Sequence, residues 1–248
     1  MKLIGSDFDG TLNHGGIDEE KLQAIRHWRA AGNKFGVVSG RGPDFVKELK
    51  EKLGDQFDFL ISCNGGIIAD ADGNELHSAI CDTVSIEEFC RDVYRWGGQV
   101  VDFLDDRYFR IGCDRSVTEP YDYLVDDLPP ITFFYKLCMA CKSPDEAREM
   151  AEKIREAYGD RVYAMQNWSM IDIAPAGVNK ASGLRWLADH YGIAEEDIIT
   201  VGDYDNDADM LREFASSYAM ENGNEYVKSI ATYTTPSVTD LIRREMKR

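Results

Sequence analysis

The feature that most constrains this chain is a rhythm that stops and then restarts. Short apolar runs alternate with stretches of helical period, and each run ends at a tip of Asp, Ser, Asn or Gly. Residues 2–6, 34–38 and 57–62 read as buried strands. The segments 18–31 and 43–53 read as helices between them, with Asp18 as a cap and Gly32 and Gly54 as stops. Alternation of this kind predicts a parallel sheet joined by right-handed crossovers. Residues 67–79 break the pattern as a hairpin turning at Asp72-Gly73-Asn74.

From residue 81 the order becomes helix followed by several strands. Ser85-Ile86-Glu87-Glu88 and Ser143-Pro144-Asp145-Glu146 are capping boxes opening two helices. Strands are expected over 99–105, 107–112 and 131–141, a loop with a short helix over 121–130, and a hairpin over 161–174. After Pro175-Ala176-Gly177 the first rhythm returns. A helix starts at Lys180, a strand covers 197–201, a helix and a strand at 218–220 follow, and a last helix ends in a Lys/Arg cluster through Arg248. The expectation is an α/β chain with a discontinuous parallel-sheet core, 1–80 and 176–248, interrupted by an α+β domain over 81–175.

Charge narrows the function classes. The chain carries 45 acidic and 28 basic residues, a net charge of −17. That balance argues against nucleic acid and anionic membrane as partners, which require a basic footprint. A small anionic substrate stays compatible if a bound cation or a local Lys or Arg reverses the field at the site. No apolar run approaches a membrane span, and the N-terminus lacks a signal-peptide core. The six cysteines are scattered, so a reduced, cytoplasmic setting is expected. Cys138 and Cys141 form a lone CxxC without a second ligand pair, and thiols buried along a strand are the favoured reading over a metal site. Nothing in the sequence fixes an oligomeric state.

Chemistry gathers at the strand tips. In a parallel sheet the C-terminal tips share one edge, where ligands of open α/β sheets bind. That edge would collect Asp7 and Asp9, Ser39-Gly40, the segment opening at Lys180, and Asp203 to Asp207. Carboxylates so close repel one another unless a cation sits among them. Oxygen-rich, nitrogen-poor ligation suits Mg²⁺. Ser39-Gly40 offers a hydroxyl and backbone N–H groups to an anion, and Lys180 adds a positive charge. Such a set meets the needs of phosphoryl transfer, namely charge neutralisation and positioning around phosphorus.

The ordered set Asp7-Phe8-Asp9-Gly10-Thr11, Val38-Ser39-Gly40-Arg41, Lys180 and Gly202-Asp203-Tyr204-Asp205-Asn206-Asp207 resembles the four motifs of the haloacid dehalogenase superfamily. More closely it resembles the Cof-type phosphatases, whose large cap is inserted between the second and third motifs. Cys63-Asn64-Gly65, residues 174–180 and residues 218–222 match as well. The resemblance implies a Rossmann-like α/β core with an inserted α+β cap acting as a lid. It implies that Asp7 attacks phosphorus to form an aspartyl-phosphate and that Asp9 protonates the leaving oxygen and then activates water. Ser39, Gly40, Lys180 and Asn206 would hold the phosphate. Mg²⁺ would be bound by Asp7, the Asp9 backbone carbonyl, Asp203 and Asp207.

Arg41 and Asn64 are candidate substrate contacts, with a surface ion pair and structural capping as competing readings. In the insert, Arg107, Arg110, Arg115, Tyr135, Lys136 and Trp168 are candidates for reading a sugar or a second anion, each competing with a surface or packing role. The expected function is Mg²⁺-dependent hydrolysis of a small phosphorylated metabolite. The alternatives are a phosphotransferase or phosphomutase of the same fold, and a silent ligand-binding module.

Overall fold

The computed structural model describes residues 1–247. Arg248, the last member of the basic cluster, lies outside the described residues. The chain divides into two compact units, Met1–His77 with Asn179–Arg248, and Ser78–Val178.

The first unit opens with β1 (Leu3–Ser6), α1 (Glu19–Ala30), β2 (Lys34–Val38), α2 (Phe45–Leu53) and β3 (Phe59–Ser62), followed by a hairpin of β4 (Ile67–Asp70) and β5 (Glu75–Ser78). The insert runs α3 (Ile86–Arg95), β6 (Val100–Leu104), β7 (Tyr108–Gly112), β8 (Tyr123–Leu124), β9 (Lys136–Ala140), α4 (Pro144–Tyr158), β10 (Val162–Asn167) and β11 (Met170–Pro175). The first unit then resumes with α5 (Lys180–Tyr191), β12 (Ile198–Gly202), α6 (Ala208–Glu213), β13 (Ser216–Met220), α7 (Glu225–Ile230), β14 (Tyr233–Thr235) and α8 (Val238–Glu245).

In the first unit eight strands are ordered β14-β13-β12-β1-β2-β3-β4-β5. The pairings from β14 to β3 are parallel, and β4 runs antiparallel to β3. β1 is central and buried at all four residues, because alternate side chains serve opposite faces. Ile4 packs with Ile25 and Trp28 of α1, Leu49 of α2 and Leu241 of α8. Leu3 packs on the other face with Leu184 and Leu187 of α5 and Met210 of α6. The tips of β1, β2, β3 and β12 therefore meet at one edge, and the Asp7 N–H donates to the Val201 carbonyl at 2.9 Å to extend the ladder.

In the insert six strands are ordered β10-β11-β9-β6-β7-β8, antiparallel except for β8 beside β7. Phe89 and Val93 of α3 and Met150 and Ile154 of α4 pack with Val101, Phe103, Leu137 and Ile171, so both helices cover one face. The Ser85 and Ser143 hydroxyls accept from the Glu88 and Glu146 N–H groups, the serine half of the expected capping boxes, while the Glu146 carboxylate accepts from the Lys142 N–H at 2.9 Å.

Three segments differ from expectation. The strand expected over 131–141 is confined to Lys136–Ala140, because Phe134 turns aside to make an isolated bridge with Cys81. The loop over 121–130 contains β8, a two-residue strand too short to leave a period. β14 and α7 were not anticipated: the strand is three residues with one buried, and the helix buries a single apolar residue, Val227. Among the described residues all six cysteines are free thiols. Cys138 and Cys141 are half-buried, less enclosed than expected, and Cys141 lies just past β9. Burial raises both thiols above their ordinary range.

Candidate active site

Lys180 is the first residue of α5, a place where lysine is normally solvated, yet it is 0 % exposed. Its helix starts there because the Asn179 side chain caps it, accepting from the Ser182 N–H at 2.8 Å. The Lys180 ammonium donates to Asp7 Oδ1 and to Asp207 Oδ1, each at 2.6 Å. Asp207 in turn accepts the Asp203 and Tyr204 N–H groups on its second oxygen, at 2.9 and 3.1 Å. One carboxylate thus closes the turn after β12 and anchors the lysine.

Asp203 accepts from the Thr11 hydroxyl at 2.5 Å, which joins the tips of β1 and β12. Between them sits Gly10, whose φ is +82° and whose missing Cβ would lie 2.3 Å from Asp203 Oδ2. Only glycine fits both the backbone conformation and the space. Asn222 steadies the turn by donating to the Gly10 carbonyl at 2.9 Å.

Asp7, Asp203 and Asp207 each offer an oxygen, and these atoms lie within 4.8 Å of one another. Burial pushes the Asp7 carboxyl well above the ordinary carboxylate range; Lys180 draws it down, and Asp207 and Asp203 push it up. Burial and the neighbouring Asp207 raise Asp203 to about 6, against the Thr11 hydrogen bond and Lys180. Burial works against the Lys180 charge, but the two carboxylates outweigh it and hold the ammonium well above its ordinary value. Three carboxylates facing one lysine leave a surplus of negative charge. An all-oxygen donor set of this kind fits a hard divalent cation such as Mg²⁺.

The Asp9 carboxylate stands outside this group of three. It accepts from Arg41 Nε at 2.8 Å and Arg41 Nη2 at 2.6 Å. Ser39 is buried at the tip of β2, and its hydroxyl oxygen accepts from the Arg41 N–H at 3.2 Å. Gly40 is half-buried beside it. Asn64 is fully buried after β3, and its N–H donates to the Ser39 carbonyl at 3.0 Å. Cys63 and Asn64 have φ of 54° and 53°, and Gly65 follows at 108°. The Cβ that Gly65 lacks would lie 2.1 Å from the Asn179 carbonyl oxygen, so this strained tip sits tightly against the start of α5. Asn206 is half-buried on the Asp205–Asp207 turn.

In the insert, Arg107 pairs with Asp105, Arg110 with Asp102 and Arg115 with Asp126. Lys136 pairs with Asp172 at 2.5 Å, the Tyr135 hydroxyl donates to Asp106 at 3.4 Å, and Trp168 is exposed at the β10–β11 turn.

Three supporting residues escaped the sequence reading. Thr11 and Asn222 stand in the motif stretches but carry no signal of their own. Lys21 was traceable, because it lies four residues before Ile25 on the buried stripe of α1. Its ammonium donates to the Leu12, His14 and Gly16 carbonyls at 2.7, 3.3 and 2.6 Å, fixing the loop behind Asp9.

A two-unit chain whose parallel-sheet edge gathers a carboxylate, a buried lysine and two further aspartates belongs to a definable class of hydrolase. The chain matches the haloacid dehalogenase-like hydrolase family over residues 4–241, and it is a member of that family. It is 47 % identical to 5-amino-6-(5-phospho-D-ribitylamino)uracil phosphatase YitU of Bacillus subtilis, over 94 % of this chain and 91 % of that one. It is 26 % identical to the HMP-PP phosphatase of Citrobacter koseri, over 89 % and 84 % of the two chains. A haloacid dehalogenase-like hydrolase from B. subtilis shares the fold, with a TM-score of 0.81 at 21 % identity over 98 % of this chain and 99 % of that one. Among the described residues no helix is long and apolar enough to cross a membrane.

Proposed function

We propose that this protein is a Mg²⁺-dependent phosphatase of a small phosphorylated metabolite, working through an aspartyl-phosphate on Asp7. The observation that carries the reading is the buried Asp7 carboxylate, held by Lys180 beside Asp203 and Asp207. Asp7 Oδ attacks phosphorus while the bond to the leaving oxygen breaks, and Asp9 gives that oxygen its proton. Water then attacks phosphorus, the Asp7–phosphorus bond breaks, and Asp9 takes the proton of the water. Ser39, the Gly40 backbone, Asn206 and Lys180 hold the phosphoryl oxygens and neutralise their charge.

Asp7, Asp203 and Asp207, with the Asp9 backbone carbonyl, would hold Mg²⁺. The ion would neutralise charge on the phosphoryl group and on the carboxylates around it. An Asp at position 9 supplies both the acid and the base that transfer to water requires. Leaving-group selection is assigned to the inserted unit. The 47 % identity to a 5-amino-6-(5-phospho-D-ribitylamino)uracil phosphatase makes that phosphate ester the first substrate to test.

The test is phosphate release by the full chain from this ester and from a panel of sugar and nucleotide phosphates. Turnover is expected with Mg²⁺, lost with EDTA and lost in Asp7→Asn. Turnover that survives Asp7→Asn contradicts the proposal.

A further inference from the structure

We propose that Arg41 is a positioning residue for Asp9, holding its carboxylate for the half-reaction in which water cleaves the aspartyl-phosphate. This rests on the phosphatase reading above.

The Asp9 side chain is 56 % exposed and follows an irregular turn, φ −77° and ψ 119°, so by itself it is poorly fixed. Arg41 grips both of its oxygens, with Nε on Oδ2 and Nη2 on Oδ1. Isolated surface ion pairs contribute little, whereas a bidentate fork within a network restricts geometry. Arg41 belongs to such a network. Its Nη1 donates to Glu48 of α2 at 2.6 Å. Its guanidinium carbon lies 4.5 Å from the Phe45 ring centroid and 5.2 Å from that of Phe8. Its backbone N–H donates to the Ser39 hydroxyl, and its carbonyl accepts from the Cys63 N–H at 2.8 Å. Arg41 is thereby anchored to α2 and to the tips of β2 and β3, and its fork carries that rigidity to Asp9.

Hydrogen-bond inventory assigns the step. A guanidinium only donates, so a fork on both oxygens fits a carboxylate ready to receive a proton. It does not fit a carboxylic acid, whose O–H needs an acceptor. In the water step the attacking oxygen bonds to phosphorus, the Asp7–phosphorus bond breaks with its electrons returning to Asp7, and the proton of the water passes to the held Asp9. For the earlier step one arm of the fork must let the protonated oxygen go.

The experiment is rapid quench of the full chain with p-nitrophenyl phosphate and Mg²⁺, because nitrophenolate leaves without a proton. Arg41→Met should give a burst of wild-type rate and amplitude, then steady turnover slower by at least about tenfold, with phosphorylated protein accumulating. Arg41→Lys should recover only part of the rate, since an ammonium cannot grip two oxygens in a plane. Glu48→Gln, which loosens Arg41 without touching Asp9, should shift turnover the same way by less. The inference is overturned by steady turnover within about twofold of wild type in Arg41→Met. It is also overturned by a slowed or diminished burst with normal breakdown of the phosphorylated protein. Wild-type protein inactive on every ester overturns the phosphatase reading itself, whereas active wild type with an unaffected Arg41→Met overturns this inference alone.

Discussion

Lys180→Met removes the positive charge that three carboxylates face, two of them its direct hydrogen-bond partners. Methionine refills most of the volume, so the loss is electrostatic. The ammonium is 0 % exposed and lies 2.6 Å from each of Asp7 and Asp207, whose side chains are 8 % and 1 % exposed. Deleting one partner of a buried ion pair costs about 3–5 kcal/mol, and two bereft carboxylates place this case toward the upper end. At about 2–4 °C per kcal/mol for a chain of this size, the melting temperature should fall by roughly 10 °C or more in EDTA at about pH 7.

The deficit has a sign in pH. Burial already raises Asp7, and Lys180 is what draws it back. Without the lysine the folded carboxyl rises further above its unfolded value. The folded state then binds more protons than the unfolded one across that interval, so stability falls as pH rises. The deficit of Lys180→Met should therefore shrink as pH falls and widen as pH rises through the range where the buried Asp7 titrates. Calorimetric melts across that range, with Asp207→Asn and the double variant closing a cycle, measure it. The double variant should lose less than the sum, with a coupling of about 1–3 kcal/mol. A fall below about 2 °C, or a deficit that grows on acidification, would refute the reasoning.

Gly10→Ala forces a side chain into a φ of +82° against Asp203, and phosphatase activity should drop by at least about a hundredfold while the melting temperature falls by only a few degrees; near-normal kcat would contradict the packing described. Asp58 accepts from Arg29 at 2.9 and 3.1 Å and from the Phe35 N–H at 3.0 Å, and these contacts hold its carboxyl below the usual range against the opposing effect of burial. Its contribution is therefore present above the unfolded carboxylate value and lost as pH falls through the lower folded one. Asp58→Asn should cost about 1–2 kcal/mol near neutrality and progressively less as pH falls through the depressed range of the folded carboxyl, measured by urea unfolding across that range.

The doubly buried strands were readable because a strand covered on both faces is an almost unbroken apolar run with a polar tip, as β1 and β12 are. β14 and α7 were not, since a three-residue edge strand and a helix with one buried apolar side chain leave no period to detect. At the site, residue types and their order along the chain could be read, but their order across the sheet and their pairings could not. A lysine opening a helix gives no sign of being fully enclosed, and that enclosure depends on carboxylates 173 and 27 residues away. The Asp9–Arg41 fork joins residues 32 apart and exists only because the tips of β1 and β2 are neighbours. Arg41 thus left an open choice between substrate contact and ion pair, and its guanidinium forms ion pairs with Asp9 and Glu48.

The most direct test of the central claim is to locate the phosphoryl group during turnover. The full chain is mixed with a phosphate monoester and Mg²⁺, quenched in acid and digested for peptide mass analysis. A hydroxylamine-sensitive phosphoryl group on Asp7, absent in Asp7→Asn, is the predicted result. Turnover with the phosphoryl group on another residue, or with no phosphorylated protein even when Arg41→Met slows the water step, would contradict it.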